Sequence, residues 1–150
     1  MARKRLGADA TGISIEGLPE LQAALRLLDR DLEKELRKAN REVAKFVADD
    51  ARSAASALGS TAAKAAPSLK ASAGSAYAGV SLGGGAYPFA AGAEFGGQRR
   101  PTTMQFEPWR GTGEDAGYFL YPTIRRDAER IEEEYGAALD DLIRRAGLES

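Results

Sequence analysis

The stretch LPELQAALRLLDRDLEKELRKANREVAKFVADDARSAASAL, residues 18–58, decides the fold. Its apolar residues recur at steps of three or four, through Leu18, Leu21, Leu25, Leu28, Leu32, Leu36, Ala39, Val43, Phe46 or Val47, Ala51, Ala54 and Leu58. That is the single stripe of an amphipathic helix. Pro19 suits the first turn, where its missing N–H costs nothing, and Glu20 complements the positive end of the helix dipole. A continuous helix from Pro19 to Ala57 would span ~58 Å, more than a compact domain of this size needs, so the sequence predicts that it kinks or projects. Beyond Phe46 the stripe thins to alanine, which permits close backbone approach but buries little area, and the second half is expected to lean on a partner or on a sheet.

Upstream, Ile13 to Gly17 alternates apolar and polar residues and reads as a short strand or an extended segment. Residues 1–12 carry a basic cluster with no apolar stretch behind it, which fits a flexible arm and no secretory signal. Downstream, Gly59 can end the helix in a left-handed conformation, and the Ala-, Ser- and Lys-rich residues up to Pro67 read as a mobile connection. Ser68 to Gly74 and Ala76 to Leu82 look like two short strands, followed by a turn at Gly83, Gly84 and Gly85. AYPFAAGAEFG, residues 86–96, is strand or one helical turn, since Gly92 and Gly96 argue against a long element. From Gly97 to Gly117 the pattern is that of a long polar loop, but Phe106 and Trp109 argue against simple disorder, because large aromatics need something to bury against. YFLY, residues 118–121, leads into a last helix starting near Pro122, with Ile124, Ala128, Ile131, Tyr135, Ala138, Leu139, Leu142 and Ala146 on one face and Gly147 closing it. Two amphipathic helices and a small, mostly antiparallel sheet make the expected class α+β, with one domain over residues 1–150.

A chain of 150 residues buries roughly two-thirds of the surface its unfolded form exposes, enough for a core without metal or disulfide help. Cysteine and histidine are both absent. Thiolate metal sites, thiol nucleophiles and disulfides are thereby excluded, and the usual near-neutral proton shuttle and the commonest transition-metal ligand are missing. The net charge of -1 hides an uneven distribution. From Ala51 to Arg110 there are six bases and two acids; from Pro122 to Ser150 there are eight acids and five arginines. An acidic C-terminal segment and a basic middle could face each other on neighbouring copies, or serve solubility alone. No apolar run approaches the ~20 residues a membrane span requires, so no membrane partner is expected.

Few residues suggest chemistry. Gly79-Val80-Ser81-Leu82-Gly83 matches the G-x-S-x-G pattern, but the hydrolase mechanism needs a histidine to take the serine proton, and a small residue in a twisted strand is the better reading of Ser81. The glycine run lacks the G-K-[ST] of a phosphate loop. Glu132, Glu133, Glu134, Asp140 and Asp141 read as a solvated helix face before they read as metal ligands. No cofactor, metal site or catalytic residue is expected, and the chain reads as no enzyme. Arg99, Arg100 and Arg110, with Phe106 and Trp109, mix charge and aromatic surface as binding hot spots do, and are the expected protein-contact residues. Alternatively, Phe106 and Trp109 fold back over an open end of the core. Three arginines are few for a nucleic-acid binder.

The order of landmarks resembles the tail-completion, or head–tail joining, family of long-tailed bacteriophages. The residues that carry the likeness are Gly17, Leu18, Glu20 and Leu21 at the helix start, then Pro67 and Leu69, then Tyr87 with Glu94, Phe95 and Gly96, and last Phe119, Leu120 and Pro122. The likeness covers nearly the whole chain; it departs where Ser68 follows Pro67 directly, without a threonine–glycine pair, and in the length of the Gln98 to Gly117 insertion. It implies a virion structural protein that forms a ring, of six copies in the family pattern, at the neck between head and tail, assembled in the host bacterial cytoplasm. The implied partners are further copies of itself, the head-completion or stopper protein, and the tail terminator or tail tube, with DNA passing through the lumen unread. A tail terminator capping the tube is the alternative within that class; a small nucleic-acid-binding module is the alternative from another.

Overall fold

The computed structural model describes residues 4–6, 12–15, 18–28, 30–97, 106–111, 113–145 and 147. The chain is α+β. Strands β1 (Lys4–Leu6) and β2 (Gly12–Ile15) come first, then helices α1 (Leu18–Leu28), α2 (Arg30–Leu58) and α3 (Ser60–Ala65). A 3-10 turn, Ala66–Ser68, leads to β3 (Lys70–Ala73) and β4 (Ala78–Ser81), and helices α4 (Ala90–Phe95), α5 (Leu120–Arg126) and α6 (Ala128–Arg145) follow. The four strands form one antiparallel sheet in the order β1-β2-β4-β3. Lys4–Leu6 lies within the segment expected to be a free arm, yet pairs residue by residue with Ile13 to Ile15.

Of the two outcomes that its length allowed, a kink or a projecting helix, the long amphipathic stretch takes the kink. Gln22 Nε2 donates to Glu33 Oε1 at 3.2 Å, although eleven residues separate them and a straight helix would hold them about 16 Å apart along its axis. α1 therefore folds back beside the start of α2. Arg26 closes the contact through both Nε and a terminal nitrogen, at 3.1 and 2.8 Å from the two Glu33 oxygens. Ser75, in the β3–β4 turn, donates its hydroxyl to the same carboxylate at 3.3 Å. One half-buried glutamate thus ties two helices and a turn, and its hydrogen bonds, that of Arg26 first and Gln22 next, hold its carboxyl down at about 2.

α2 is the spine. Leu36, Val43, Ala44, Val47, Ala48, Ala51 and Ala55 are buried along one side. The alanines do what the thinning stripe implied: they let the helix lie close on β3 and β4, whose own residues are small (Ala71, Ala73, Ala78, Gly79). Two polar bonds fix that seam, Asn40 Nδ2 to the Gly74 carbonyl at 2.6 Å and Arg52 Nε to the Leu69 carbonyl at 2.8 Å. α2's other flank receives α5 and α6, with the Arg130 guanidinium 4.2 Å over the Phe46 ring and 3.8 Å from Asp50. Ile124, Ile131, Tyr135 and Leu142 are buried from the C-terminal side, as their helical spacing predicts.

Two expectations need correction. The residues between Gly59 and Pro67, read as a mobile connection, form α3 and the 3-10 turn, with Ala62, Ala65 and Ala66 buried. Alanine is the strongest helix former and the chain breaks only where Gly59 takes φ +70. The last helix starts two residues before Pro122 and is interrupted at Asp127, so it is two helices. Pro122 falls in the first turn of α5, where no intrahelical donor is lost. Among the described residues no helix is long and apolar enough to cross a membrane.

The Asp127 break and the Glu33 hub each give a measurable consequence. Burial and the neighbouring Asp50 carboxyl raise the Asp127 carboxyl to about 6. The unfolded chain releases that proton near its ordinary value of about 4, so stability is greatest below that value and falls as pH rises through about 6. Asp127→Asn keeps the side chain's shape and removes the titration; its melting temperature should match or exceed wild type at neutral pH and vary less between about pH 4 and 7. An unchanged slope in the variant would refute this assignment. For Glu33 the sign is opposite: its support for α1 is complete above the ordinary glutamate range and is lost as pH falls through about 2. Glu33→Ala should speed amide exchange several-fold across α1 while leaving the centre of α2 protected.

Candidate functional site

Glycines 92, 96 and 97 set the shape of the region around α4. At Gly96 the backbone turns with φ +77, and a side chain there would collide with the carbonyl oxygens of Glu107 and Pro108. The returning loop can therefore run against the end of α4, and it does: Gly97 N–H donates to the Glu107 carbonyl at 2.9 Å and Arg110 N–H to the Phe95 carbonyl at 2.6 Å. Gly97 and Pro108 form an isolated parallel bridge. Gly92 makes room for Phe106, whose ring would lie 2.5 Å from any β-carbon at that position.

Glu94 is the centre of the assembly. It sits on α4 with no solvent exposure, and its carboxylate receives the backbone N–H groups at the start of α5. Tyr118 N–H reaches Oε1 at 2.8 Å, Phe119 N–H reaches the same oxygen at 3.4 Å, and Leu120 N–H reaches Oε2 at 2.5 Å. Tyr118 N–H also meets the Glu94 carbonyl at 2.8 Å. Gly117, at φ +86, lies so close that a side chain would strike Oε1. Burial dominates and raises the Glu94 carboxyl above its usual range, against the downward pull of the N–H groups of Leu120, Tyr118, Phe119 and Tyr121. With its oxygens spent on these donors, Glu94 acts as a latch between α4 and α5.

An aromatic cluster surrounds the latch. The Phe95 ring meets Tyr121 edge-on at 5.5 Å and Trp109 at 6.3 Å. The Arg110 guanidinium lies 4.2 Å over the Tyr118 ring, and the Tyr118 hydroxyl donates to the Pro108 carbonyl at 2.7 Å. Gly111 has no side chain because the indole of Trp109 occupies that space. Trp109 nevertheless remains 61% exposed. Beside it, a cleft of about 220 Å³ opens between the end of α2 and this loop, lined by Leu58, Ala62, Ala93, Phe106 and Tyr118 among others.

The two readings of the loop aromatics divide between them. Phe106 folds back over the domain, while Trp109 and Arg110 stand at the surface on a fixed backbone. Arg99 and Arg100 lie outside the described residues. Of the residues that carry the phage likeness, Glu94, Phe95, Gly96, Phe119 and Leu120 converge on the latch, and Pro122 follows in the same first turn of α5. Tyr87 belongs to the approach to α4, edge-on to Phe89 at 6.1 Å. The roles of Tyr118 and Tyr121 escaped the sequence reading, in which YFLY is only the entry into the last helix; the Tyr118 hydroxyl was the available signal. Ser81 is an exposed strand residue bonded weakly to the Lys70 carbonyl at 3.4 Å, far from any elbow. Glu134 and Asp141 are engaged by Arg130 and Arg145.

Glu94→Ala should cost about 3 kcal/mol, because it leaves buried backbone donors without acceptors. For a chain of this length that is a fall of about 10 °C in melting temperature. Glu94→Gln, which keeps one carbonyl oxygen for Tyr118 and Phe119, should cost less than the alanine variant; equal stability of all three proteins would show that the latch bears no load. Comparison of the chain with protein-family models, with curated proteins and with solved structures finds no match.

Proposed function

We propose that this chain is a structural protein of a long-tailed bacteriophage, a tail-completion subunit that joins the tail to the head connector. The observation that carries the reading is the convergence at Glu94. Residues picked out by likeness alone, more than twenty positions apart in sequence, are Glu94 with Phe119 and Leu120, and they share one buried carboxylate. The latch holds a surface on which Trp109 and Arg110 stand out from an otherwise anchored loop, which suits docking to another protein. The work of such a subunit is geometric: it is a self-assembling ring component that meets the stopper on one side and the tail terminator or tube on the other, with no chemistry of its own.

Trp109→Ala combined with Arg110→Ala removes a largely exposed indole and an exposed guanidinium, so the fold should keep its stability within about 1 kcal/mol. In a phage complementation assay the same variant should accumulate filled heads and free tails. Class averages of wild-type particles should place the chain at the neck. Its absence from mature particles would overturn the proposal, and binding to purified tails in the absence of heads would shift it to the tail terminator role.

A further inference from the structure

The outer faces of α2 and α6 carry opposite charge in matching patterns. On α2, Lys34, Lys38, Arg41 and Lys45 are exposed and, at about 100° per residue, share an arc of about 60° opposite the buried Leu32 and Leu36 and bordering the alanine seam. Arg37, also exposed, flanks them. Among the described residues, Arg37, Lys38, Arg41 and Lys45 form no ion pair, and Lys34 has only a 3.7 Å contact with the exposed Asp31. On α6, Glu129, Glu133 and Asp140 are exposed and share an arc of about 40°. Both ridges run for eleven residues, about 16 Å. Their positions step alike, by four, three and four, if Gly136 is counted. A side chain at Gly136 would meet nothing within 4 Å, so the acidic ridge has a dip at its middle where a long basic side chain fits.

Within one molecule these ridges do not meet. α6 binds the flank of α2 that carries Glu35, Phe46 and Asp50, about 100° round from the lysines, through its exposed residues Arg130 and Arg145, and of the basic ridge Lys38 borders the cleft between the two helices. Each ridge is therefore exposed among the described residues, and each is the charge complement of the other. We propose that the α2 ridge of one copy docks on the α6 ridge of the next, so that copies associate head to tail. A contact of this kind uses different patches on the two partners and is repeated by every added copy; it closes as a ring or continues as a filament. That it closes at a phage neck rests on the function proposed above; the contact itself does not. Duplex DNA suits the basic ridge less well, because a phosphate backbone continues beyond the ridge's short length and meets the exposed Asp49 further along the same helix.

Two charge-reversed proteins test this: one with Arg41→Glu and Lys45→Glu, the other with Glu129→Lys and Glu133→Lys. All four positions are exposed, so both proteins should fold, which circular dichroism checks. In sedimentation at low ionic strength wild type should self-associate, more weakly as salt is added. Each variant alone should weaken association by about tenfold or more, and an equimolar mixture of the two should recover it, since each then offers the ridge the other lacks. A wild type that stays monomeric, variants that associate as wild type does, or a mixture that fails to recover would each overturn the contact. So would a salt-sensitive shift of duplex DNA lost in the α2 variant without any self-association. Recovery in the mixture by a chain absent from phage particles would leave the contact standing and remove only the neck assignment.

Discussion

Close approach of a helix to a sheet, made possible by alanine and glycine on both sides, is the constraint on which the rest of the structure hangs. Ala44, Ala48, Ala51 and Ala55 bury little area each, so their gain lies in distance: a bulky residue at any of them would push α2 off β3 and β4. Once the backbones are close, Asn40 and Arg52 reach carbonyls at the two ends of β3. The larger apolar residues are displaced to α2's other flank, where Phe119, Leu120, Ile124 and Ile131 from the C-terminal segment supply the volume that the seam lacks.

The C-terminal segment in turn needs an anchor, because α5 is a short helix that begins with unsatisfied backbone donors in a buried place. Glu94 provides it. Carboxylates are seldom buried without a cation, and here three N–H groups stand in for one. The same contact fixes the loop before α5, since Gly117 is bonded to Arg110 and both Arg110 and Tyr118 are bonded to the α4 end. A solvent-exposed tryptophan on such a loop is held by backbone geometry, which lowers the entropy lost when a partner covers it.

Much of this was legible in the residues. Period located α2 and α6 and the leucine and isoleucine side of each, but in the second half of α2 it picked Ala54 and Leu58 over the buried Ala44, Ala48 and Ala55; small residues bounded by glycine located β3 and β4. Length left a kink or a projecting helix open, and neither the kink's place nor its direction could be read, because Glu33 looks like any other glutamate in a charged helix until Gln22, Arg26 and Ser75 of the β3–β4 turn are brought to it. α3 was missed for a related reason: six residues of alanine, serine, threonine and lysine carry no period, so alanine's helix propensity went unread until burial against α2 and α4 supported it. The site was half legible. Likeness to a family singled out Glu94, Phe95, Gly96, Phe119 and Leu120 without saying that they meet, and nothing in the pattern of residues 97–117 distinguished the inward Phe106 from the outward Trp109.

The strand order carries a consequence for how the chain is made. β2 is complete after fifteen residues, yet its neighbour β4 pairs Gly79 with Gly12, across the whole of α1, α2, α3 and β3. During synthesis the first hairpin must wait beside the ribosome for its partner, while the intervening helices can form from local contacts alone. The sheet therefore closes after its own spine, and until then the inner edge of β2 is an open template that another nascent copy could occupy.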